Sequence, residues 1–359
     1  MINLIERFYK NKKILIIGHT GFKGSWLTGV MSDFGGKLYG ISKGIVSRPS
    51  NYEVSNIFKL SKNYYFDIKH FKKFNNIFNK INPDIVFHLA AQSLVRKSYN
   101  DPYETWSTNL VGTLNLLEIL RRRKEKKKII SIIITSDKCY KNVNKKQGYK
   151  ENEILGGYEP YGGSKASVEI LFHSYFQSFF KNKNNLFLAT ARAGNVIGGG
   201  DWSDDRILPD LFKSFKKKKI LKVRYPNSTR PWQHVLDPIY GYTYLAYMLN
   251  KKPYKINGQS FNFGPYRQKN YSVKELLEET SKFIPSLKWK SVKPNHSFHE
   301  AGMLNLNSKK AFKKIKWKNR LSFKESISLT SRWYNSYFKG ENMKKFTFSQ
   351  IKNYKNKLR

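Results

Sequence analysis

The most apolar run of the sequence ends in a cluster of reactive side chains. Residues 129–134 contain five isoleucines and one serine, and Thr135, Ser136, Asp137 and Lys138 follow them directly. An unbroken β-branched run is typical of a strand buried on both faces of a parallel sheet. Ligands of open α/β sheets bind beyond the carboxyl ends of the strands, so these side chains predict an active site. An ordinary polar exit from a strand into a loop is the alternative.

A tyrosine and a lysine form a second reactive pair. Tyr161 and Lys165 are four residues apart in the segment YGGSK, hence on one face of a helix. A cation near a phenol favours the phenolate and moves the tyrosine pKa toward the range of a general base. The motif alone is common by chance, and an exposed Tyr–Lys pair explains it equally well.

A glycine-rich turn, GHTGFKG at residues 18–24, follows a predicted strand and opens a predicted helix. Glycines at such a turn let backbone N–H groups approach a pyrophosphate at the helix N-terminus. The spacing of two residues between the glycines differs from the fingerprint of two-domain dehydrogenases. In this strand–turn–helix context the turn predicts dinucleotide binding.

The ends of the second and third predicted strands bear on which dinucleotide binds. An acidic residue usually ends the second strand and binds the ribose 2′-hydroxyl, but Lys43 stands at this position, with Arg48 further on. Either cation can accept a 2′-phosphate, so the sequence does not exclude NADP. Asp67 ends the third strand, where it can accept a hydrogen bond from an adenine amino group or cap the next helix.

Alternating strands and helices surround these residues. Strands are predicted at residues 13–17, 37–41, 64–66, 84–89, 129–134 and 185–191, and helices at 23–34, 69–79, 101–123 and 161–181. This alternation predicts an α/β fold: a Rossmann-type doubly wound parallel sheet with a smaller, partly interleaved C-terminal substrate lobe. We divide the chain into a dinucleotide-binding domain (1–194), the substrate-binding lobe (195–340) and a basic tail (341–359). This tail is expected to be a peripheral helix or a frayed end.

Composition excludes several classes of protein. The net charge is +42, but the lysines are spread along the chain and Lys, Asn, Ile, Phe and Tyr are abundant together. A bias of the whole sequence explains this better than binding to nucleic acid or an anionic membrane. One cysteine excludes a disulfide framework, and without clustered His and Cys we expect no metal. No apolar run approaches the roughly 20 residues of a membrane span, and the N-terminus lacks a secretory signal, so a cytoplasmic protein is expected.

The motifs together resemble a known family. The glycine turn, Ser136 and the Tyr161/Lys165 pair occur in the order and spacing of the extended short-chain dehydrogenase/reductase superfamily. Five segments closely resemble the CDP-glucose 4,6-dehydratase family over nearly the whole chain: GHTGFKGSW (18–26), HLAAQ (88–92), TSDKCY (135–140), RAGNVIGGGDW (192–202) and RPWQHV (230–235). Epimerases and the dTDP-glucose and GDP-mannose dehydratases share the fold but typically not this set.

The resemblance implies a reaction, the dehydration of CDP-glucose to CDP-4-keto-6-deoxyglucose, which feeds deoxysugar and lipopolysaccharide synthesis. Tyr161, poised by Lys165 and helped by Ser136, would take the C4 hydroxyl proton as hydride leaves for the cofactor. An acid at the C6 hydroxyl and a base at C5 then eliminate water, and hydride returns to C6. Relatives use an Asp-Glu pair here, and the matching residues are Asp137 as acid and Lys138 as base. A base role requires a depressed lysine pKa. In the alternative, Lys138 holds Asp137 in an ion pair and another group removes the C5 proton.

The resemblance also implies binding residues and partners. The cofactor NAD is expected at Gly18, Gly21, Phe22, Lys23, Gly24, Asp67, Ile68, Ala90, Asn109, Thr135, Tyr161 and Lys165. CDP-glucose is expected at Asn195, Arg206, Arg230 and His234, although a packed structural histidine is the commoner role for a residue such as His234. Extended relatives commonly dimerise through two helices, so a homodimer or higher homo-oligomer is expected.

Two other hypotheses stay open. One is a sugar-nucleotide 4-epimerase, or a 4,6-dehydratase that acts on another nucleotide. The other is a catalytically idle fold that binds polyanions, which the charge suggests and the intact Ser136, Tyr161 and Lys165 oppose.

Overall fold

A computed structural model describes residues 2–266, 269–293 and 303–359. The strands are β1 (Lys13–Ile17), β2 (Lys37–Ser42), β3 (Ser61–Tyr65), β4 (Ile85–His88), β5 (Ile129–Ile134), β6 (Leu186–Arg192), β7 (Val196–Ile197), β8 (Leu221–Val223), β9 (Thr229–Arg230), β10 (Gln233–His234), β11 (Gln259–Asn262), β12 (Tyr271–Ser272) and β13 (Trp289–Ser291). The helices are α1 (Ile2–Tyr9), α2 (Phe22–Asp33), α3 (Asn51–Val54), α4 (Phe71–Ile81), α5 (Val95–Asn100), α6 (Pro102–Trp106), α7 (Gly112–Arg122), α8 (Pro160–Tyr175), α9 (Ile207–Lys216), α10 (Leu236–Lys251), α11 (Pro253–Ile256), α12 (Val273–Ser281), α13 (Lys309–Ile315), α14 (Phe323–Phe338) and α15 (Met343–Asn356).

One large parallel sheet organises the molecule. Within the described ranges, seven strands form it in the order β11-β6-β5-β4-β1-β2-β3. The chain runs outward from β1 to β3 and then returns to β4 on the other side of β1, so the order reverses between β1 and β4. Such a reversal opens a crevice at the carboxyl ends of the two strands, where ligands bind. The doubly wound parallel sheet predicted from the sequence is confirmed.

Alternate residues of the central strands belong to two different cores. Ile130 and Ile132 of β5 pack into a core that also includes α10, α14 and α15, whereas Ile129 and Ile133 pack with α4, α7 and α8. Successive side chains of a strand point to opposite faces, so an unbroken isoleucine run suits a strand covered on both sides. Every residue of β5 is buried, as the apolar run predicted.

Several elements differ from the predicted ones. The helix predicted at 101–123 is divided into α6 and α7 by a π-helical turn, Ser107–Val111. Helix α1 was not predicted, and the predicted long connection at 42–60 contains α3. Short amphipathic helices such as α1 are stabilised mainly by tertiary packing, which local patterns do not reveal.

The last residues of the chain form a packed helix, which is the first of the two predicted alternatives. Asn342 caps α15, and Ile351 and Tyr354 are buried. Lys355 makes ion pairs with Glu6 of α1 (2.7 Å) and Asp33 of α2 (2.6 Å). Helix α15 therefore docks on the face of the sheet that α1 and α2 cover. The domain boundaries at residues 194 and 340 stay a prediction.

Within the part of the chain that the structure describes, no helix combines the length and the apolar character that crossing a membrane requires.

Candidate active site

A cavity of ≈ 970 Å³ opens at the carboxyl ends of β1, β4 and β5. Its volume lies at the upper end of the range of about 300–1,000 Å³ that is typical of ligand-binding pockets. The predicted site residues that line it are Gly18, Gly21, Phe22, Lys23, Gly24, Asp67, Ile68, Ala90, Ser136, Asp137, Lys138, Tyr161, Asn195, Arg206 and Arg230. The predicted site residues outside its lining are Asn109, Thr135, Lys165 and His234.

The glycine turn lies close to the backbone that directly follows β4. A Cβ on Gly18 would lie 2.6 Å from the Ala90 nitrogen, and a Cβ on Gly24 would lie 2.0 Å from the Gly18 oxygen. Gly18 also has a φ of 91°, a backbone conformation that residues other than glycine rarely adopt. Among the described residues no side chain caps the N-terminus of α2 at Gly21, and residues 21–24 line the cavity, so the first N–H groups of this helix suit an anion. The turn thus fits a pyrophosphate.

Ser136 and Asp137 are held in a tight turn directly after β5. The Ser136 hydroxyl donates to Asp137 Oδ1 (2.9 Å) and accepts from the Lys138 backbone N–H (3.3 Å). The Asn195 amide donates to Asp137 Oδ2 (3.2 Å). Gly194 leaves the space for this carboxylate, because a Cβ there would lie 1.9 Å from Oδ2. Asp137 is therefore fixed by two side chains that are distant from each other in sequence, Ser136 and Asn195.

Tyr161 lies in the first turn of α8, next to Ser136. Burial raises the pKa of its phenol above the ordinary value, and Asp137 and Glu159 act in the same direction. A hydrogen bond with Ser136 and the charge of Arg206 act in the opposite direction. The expected lowering of this pKa is therefore wrong for the structure, because desolvation of the phenol outweighs the hydrogen bond with Ser136 and the charge of Arg206.

Lys165 lies beneath the cavity rather than in its lining. Its ammonium donates to the carbonyl of Ile134, the last residue of β5, at 3.4 Å. Burial lowers the pKa of Lys165 to about 7, the charge of Lys23 acts in the same direction, and Glu169 opposes it.

Lys138 lines the cavity beside the Asp137 carboxylate. Among the described residues no ion pair joins Lys138 to Asp137, whose carboxylate is occupied by Ser136 and Asn195 instead. Glu159, which sequence reasoning missed, accepts from the Gly162 backbone N–H (2.6 Å) and caps α8. Burial raises the pKa of Glu159, and the charge of Lys138 opposes that rise.

A buried ion pair that the sequence did not suggest supports the turn after β5. Glu169 accepts from Arg192 (2.7 Å), and neither side chain is exposed beyond 1%. Glu169 also accepts from Thr135, and Arg192 donates to the Tyr140 hydroxyl (2.6 Å). The pair thus holds the residues on either side of Ser136–Lys138. The available signal was the position of Glu169 four residues after Lys165, on the same helix face.

Three predicted binding residues have other partners in the structure. Thr135 donates to Glu169, and His234 is fully buried, with Nδ1 accepting from the Leu236 backbone N–H (3.3 Å). Asn109 bonds the backbone of Gln92 at both its N–H (2.8 Å) and its carbonyl (3.1 Å). His234 therefore packs in the core as its alternative stated, and Asn109 supports the loop after β4.

The second lobe supplies cations to the cavity. Arg206 donates to Asp201 (2.6 Å) and to the Ser93 hydroxyl (3.1 Å), so it spans the two lobes. Arg230 lines the same wall. Burial lowers the pKa of Lys23 in the glycine turn to about 8, and the charge of Arg206 contributes to that shift. Lys23, Arg206 and Arg230 thus line one cavity, and cations in such a place suit an anionic ligand.

Comparison with known proteins agrees with this architecture. An epimerase from Methanothermobacter thermautotrophicus has the same fold, with a TM-score of 0.81, 22% identity and coverage of 96% of this chain and 98% of that chain. The dTDP-glucose 4,6-dehydratase of Bacillus anthracis, solved in complex with NAD, has a TM-score of 0.74, 19% identity and coverage of 92% and 99%. At these identities the likeness concerns the fold.

Sequence comparison is more specific. The CDP-glucose 4,6-dehydratase of Salmonella typhimurium is 38% identical over 343 residues, which cover 94% of this chain and 94% of that protein. A family model described as GDP-mannose 4,6 dehydratase matches residues 15–330, a span that includes the sheet, the cavity and both lobes. The chain belongs to this family of 4,6-dehydratases.

Proposed function

We propose that the protein dehydrates CDP-glucose to CDP-4-keto-6-deoxyglucose as an NAD-dependent hydro-lyase. The observation that carries this proposal is the Ser136–Asp137–Lys138 turn. It lies beside Tyr161 in one cavity, in a chain 38% identical to a CDP-glucose 4,6-dehydratase. An oxidoreductase needs a tyrosine and its helpers alone, whereas an additional acid and base in the same place suit an elimination.

NAD fits one half of the cavity. Its pyrophosphate would bind at the N-terminus of α2, where Gly18 and Gly24 leave no room for a side chain. NAD bound there would supply the hydride acceptor for the oxidation at C4 and the hydride donor for the reduction at C6. The arginines of the other half, Arg206 and Arg230, are suited to the diphosphate of the substrate.

In the oxidation step Tyr161 takes the proton of the C4 hydroxyl. The phenol is buried and hydrogen-bonded with Ser136, and the charge of Arg206 favours its ionised form. Lys165, under the end of β5, is a positioning and charge-supplying residue in this step, because its ammonium reaches the Ile134 carbonyl.

In the elimination step Asp137 protonates the C6 hydroxyl and Lys138 removes the C5 proton, which the 4-ketone has made acidic. The absence of an Asp137–Lys138 ion pair in the described structure favours this role of Lys138 over that of a mere counter-ion. The protons balance: the proton released from the C4 hydroxyl is the one that leaves in water, and Lys138 returns its proton to C5. Ser136 donates to Asp137 and lowers the pKa of the Tyr161 phenol, so we place the proton path between those two groups through its hydroxyl.

A panel of substrates tests the proposal. The purified protein is incubated with CDP-glucose, dTDP-glucose, GDP-mannose and UDP-glucose, and 4-keto product is followed by its alkaline absorbance; Tyr161→Phe is the control. Product from CDP-glucose alone is the expected result. Product from another nucleotide, or a 4-epimer without keto product, would replace the proposed activity by one of its two enzyme alternatives. No reaction with any of them would leave the polyanion-binding hypothesis, which a steep salt dependence of duplex binding would then support.

We propose further that the protein works as a homodimer. Tyr103 of α6 is 82% exposed, and Ile170 of α8 is 59% exposed, on two helices that pack against each other. Exposed apolar side chains on neighbouring helices are typical of a surface that another chain covers. Light scattering of the wild type and of Ile170→Asp would test it.

The lone cysteine, Cys139, is buried and unpaired, which suits the cytoplasm, where we place the activity.

A further inference from the structure

A network of four charges lies at the position that separates NAD from NADP in folds of this kind. Lys43 directly follows β2, and its ammonium lies 3.1 Å from Glu104 Oε1 and 3.4 Å from Asp67 Oδ2. Lys69 lies 2.7 Å from Glu104 Oε2 and 3.6 Å from Asp67 Oδ2. Each ammonium is therefore shared between the same two carboxylates, and the network as a whole is neutral.

The network faces the cofactor half of the cavity. Lys43, Asp67 and Glu104 line the cavity together with the glycine turn. The side chains of Asp67 and Glu104 are 14% and 23% exposed, whereas that of Lys43 is 68% exposed. The two carboxylates are therefore much more buried than Lys43, the residue that the sequence offers for a 2′-phosphate. Glu104 is fixed further by the Thr108 hydroxyl, which donates to Oε1 at 3.2 Å.

We propose that Glu104 makes this site selective for NAD over NADP, by holding Lys43 and by presenting negative charge where a 2′-phosphate would lie. The inference rests on the proposed NAD-dependent function. It assigns to a helix residue the discrimination that an acidic residue at the end of β2 ordinarily supplies.

The argument is one of charge balance. A 2′-hydroxyl is neutral and can donate to a carboxylate, so it enters a neutral network without displacing an ion pair. A 2′-phosphate carries close to two negative charges, so it would have to replace Asp67 and Glu104 as the ion-pair partner of Lys43. It would then lie beside two carboxylates that have lost one of their cations. The pKa of Glu104 is lowered to about 2, above all by its hydrogen bond with Lys69, so Glu104 stays charged at every working pH.

The test is direct binding of NAD and NADP to the full-length protein after bound dinucleotide has been removed, by calorimetry at low ionic strength. The wild type is expected to bind NAD more tightly than NADP. Glu104→Gln keeps the shape of the side chain and removes one like charge near the phosphate, so NADP affinity should rise about tenfold while NAD affinity stays within about twofold. The tenfold figure corresponds to removal of one charge about 6 Å from a dianion in a water-like dielectric. The gain should shrink as salt is added, because screening weakens the repulsion.

A matched control is Glu153→Gln. Glu153 also pairs with a cation, Lys145 (2.8 Å), but neither residue lines the cavity, so NADP affinity should not change. The inference is overturned if the wild type binds NADP as tightly as NAD, a result that needs no variant. It is also overturned if Glu104→Gln leaves NADP affinity at the wild-type value while its thermal unfolding transition shows that the variant is folded. If the wild type binds neither dinucleotide, the proposed function itself fails.

Discussion

Gly194 offers a sharp test of whether the position of Asp137 controls the elimination. A Cβ at residue 194 would lie 1.9 Å from Asp137 Oδ2 and 2.3 Å from Oδ1. Since non-bonded carbon and oxygen atoms essentially never approach within 3.0 Å, Gly194→Ala must move the carboxylate by about 1 Å. That displacement breaks or stretches its hydrogen bonds to Ser136 and Asn195.

The expected loss follows from this displacement. A misplacement of about 1 Å can cost about 100-fold in rate, which corresponds to about 2.7 kcal/mol of barrier. Gly194→Ala should therefore lower kcat for 4-keto product about 100-fold, and the KM for CDP-glucose should change little. Because Tyr161 and Lys165 keep their places, reduction of bound NAD in a single turnover should survive, so the lost step is the elimination.

Two controls isolate the cause. Gly44→Ala adds a methyl group to another cavity-lining glycine that has no atom within 4 Å of the new Cβ, and it should leave kcat within about twofold. If Gly194→Ala acts through Asp137, adding it to Asp137→Asn should cause little further loss. A Gly194→Ala enzyme that unfolds at the wild-type temperature and keeps kcat within about threefold would refute the reasoning, as would fully additive losses in the double variant.

Three further predictions concern groups elsewhere in the structure. Burial raises the pKa of Asp237 from 3.8 to about 7. The folded chain therefore keeps a proton that the unfolded chain releases, and the stabilisation present below pH 3.8 is lost as the pH rises to about 7, by up to about 4 kcal/mol. Asp237→Asn keeps an oxygen that accepts from Tyr354. Measured by urea unfolding, its free energy of unfolding should fall less between pH 5 and pH 8 than that of the wild type; an equal fall in both proteins contradicts this. Lys138→Met should retain bound cofactor and lose exchange of the C5 hydrogen with solvent, and exchange at the normal rate would exclude Lys138 as the base. Glu169→Gln leaves Arg192 buried without its counter-ion, so the free energy of unfolding should fall by about 3–5 kcal/mol, and Glu169→Gln/Arg192→Met should recover part of it; a loss below about 1 kcal/mol would show that the pair is dispensable.

The sheet and the place of the active site follow from short-range patterns in the sequence. An isoleucine run that ends in hydroxyls and charges identifies both a doubly buried strand and its carboxyl end, because both properties belong to consecutive residues. The same holds for the glycine turn, which lies between a strand and a helix in the structure as it does in the sequence-based prediction. Helix α1 and the π-helical interruption of the segment 101–123 depend on packing against distant parts of the chain, and no local pattern announces them.

The electrostatics of the site could not be predicted in this way. A lysine four residues after a tyrosine indicates a lowered phenol pKa only if the phenol stays solvated, and here burial of Tyr161 outweighs the charge of Arg206. The ammonium of Lys165 instead bonds the Ile134 carbonyl. Glu169 and Arg192 come from α8 and β6, and they meet only because those elements pack on either side of the residues after β5.

The choice of dinucleotide could not be predicted from a single residue of the sequence either. At the end of β2 the sequence offers Lys43, which by itself favours a phosphate. The residue that reverses this expectation, Glu104, lies some sixty residues later, on a helix that reaches the rim of the cavity. Carboxylates that pair with a cation reduce its attraction for an anionic ligand, and Lys43 is paired with the same two carboxylates as Lys69. Specificity at this site is therefore a property of the assembled network, which is why replacing one carboxylate, rather than the lysine, is the informative experiment.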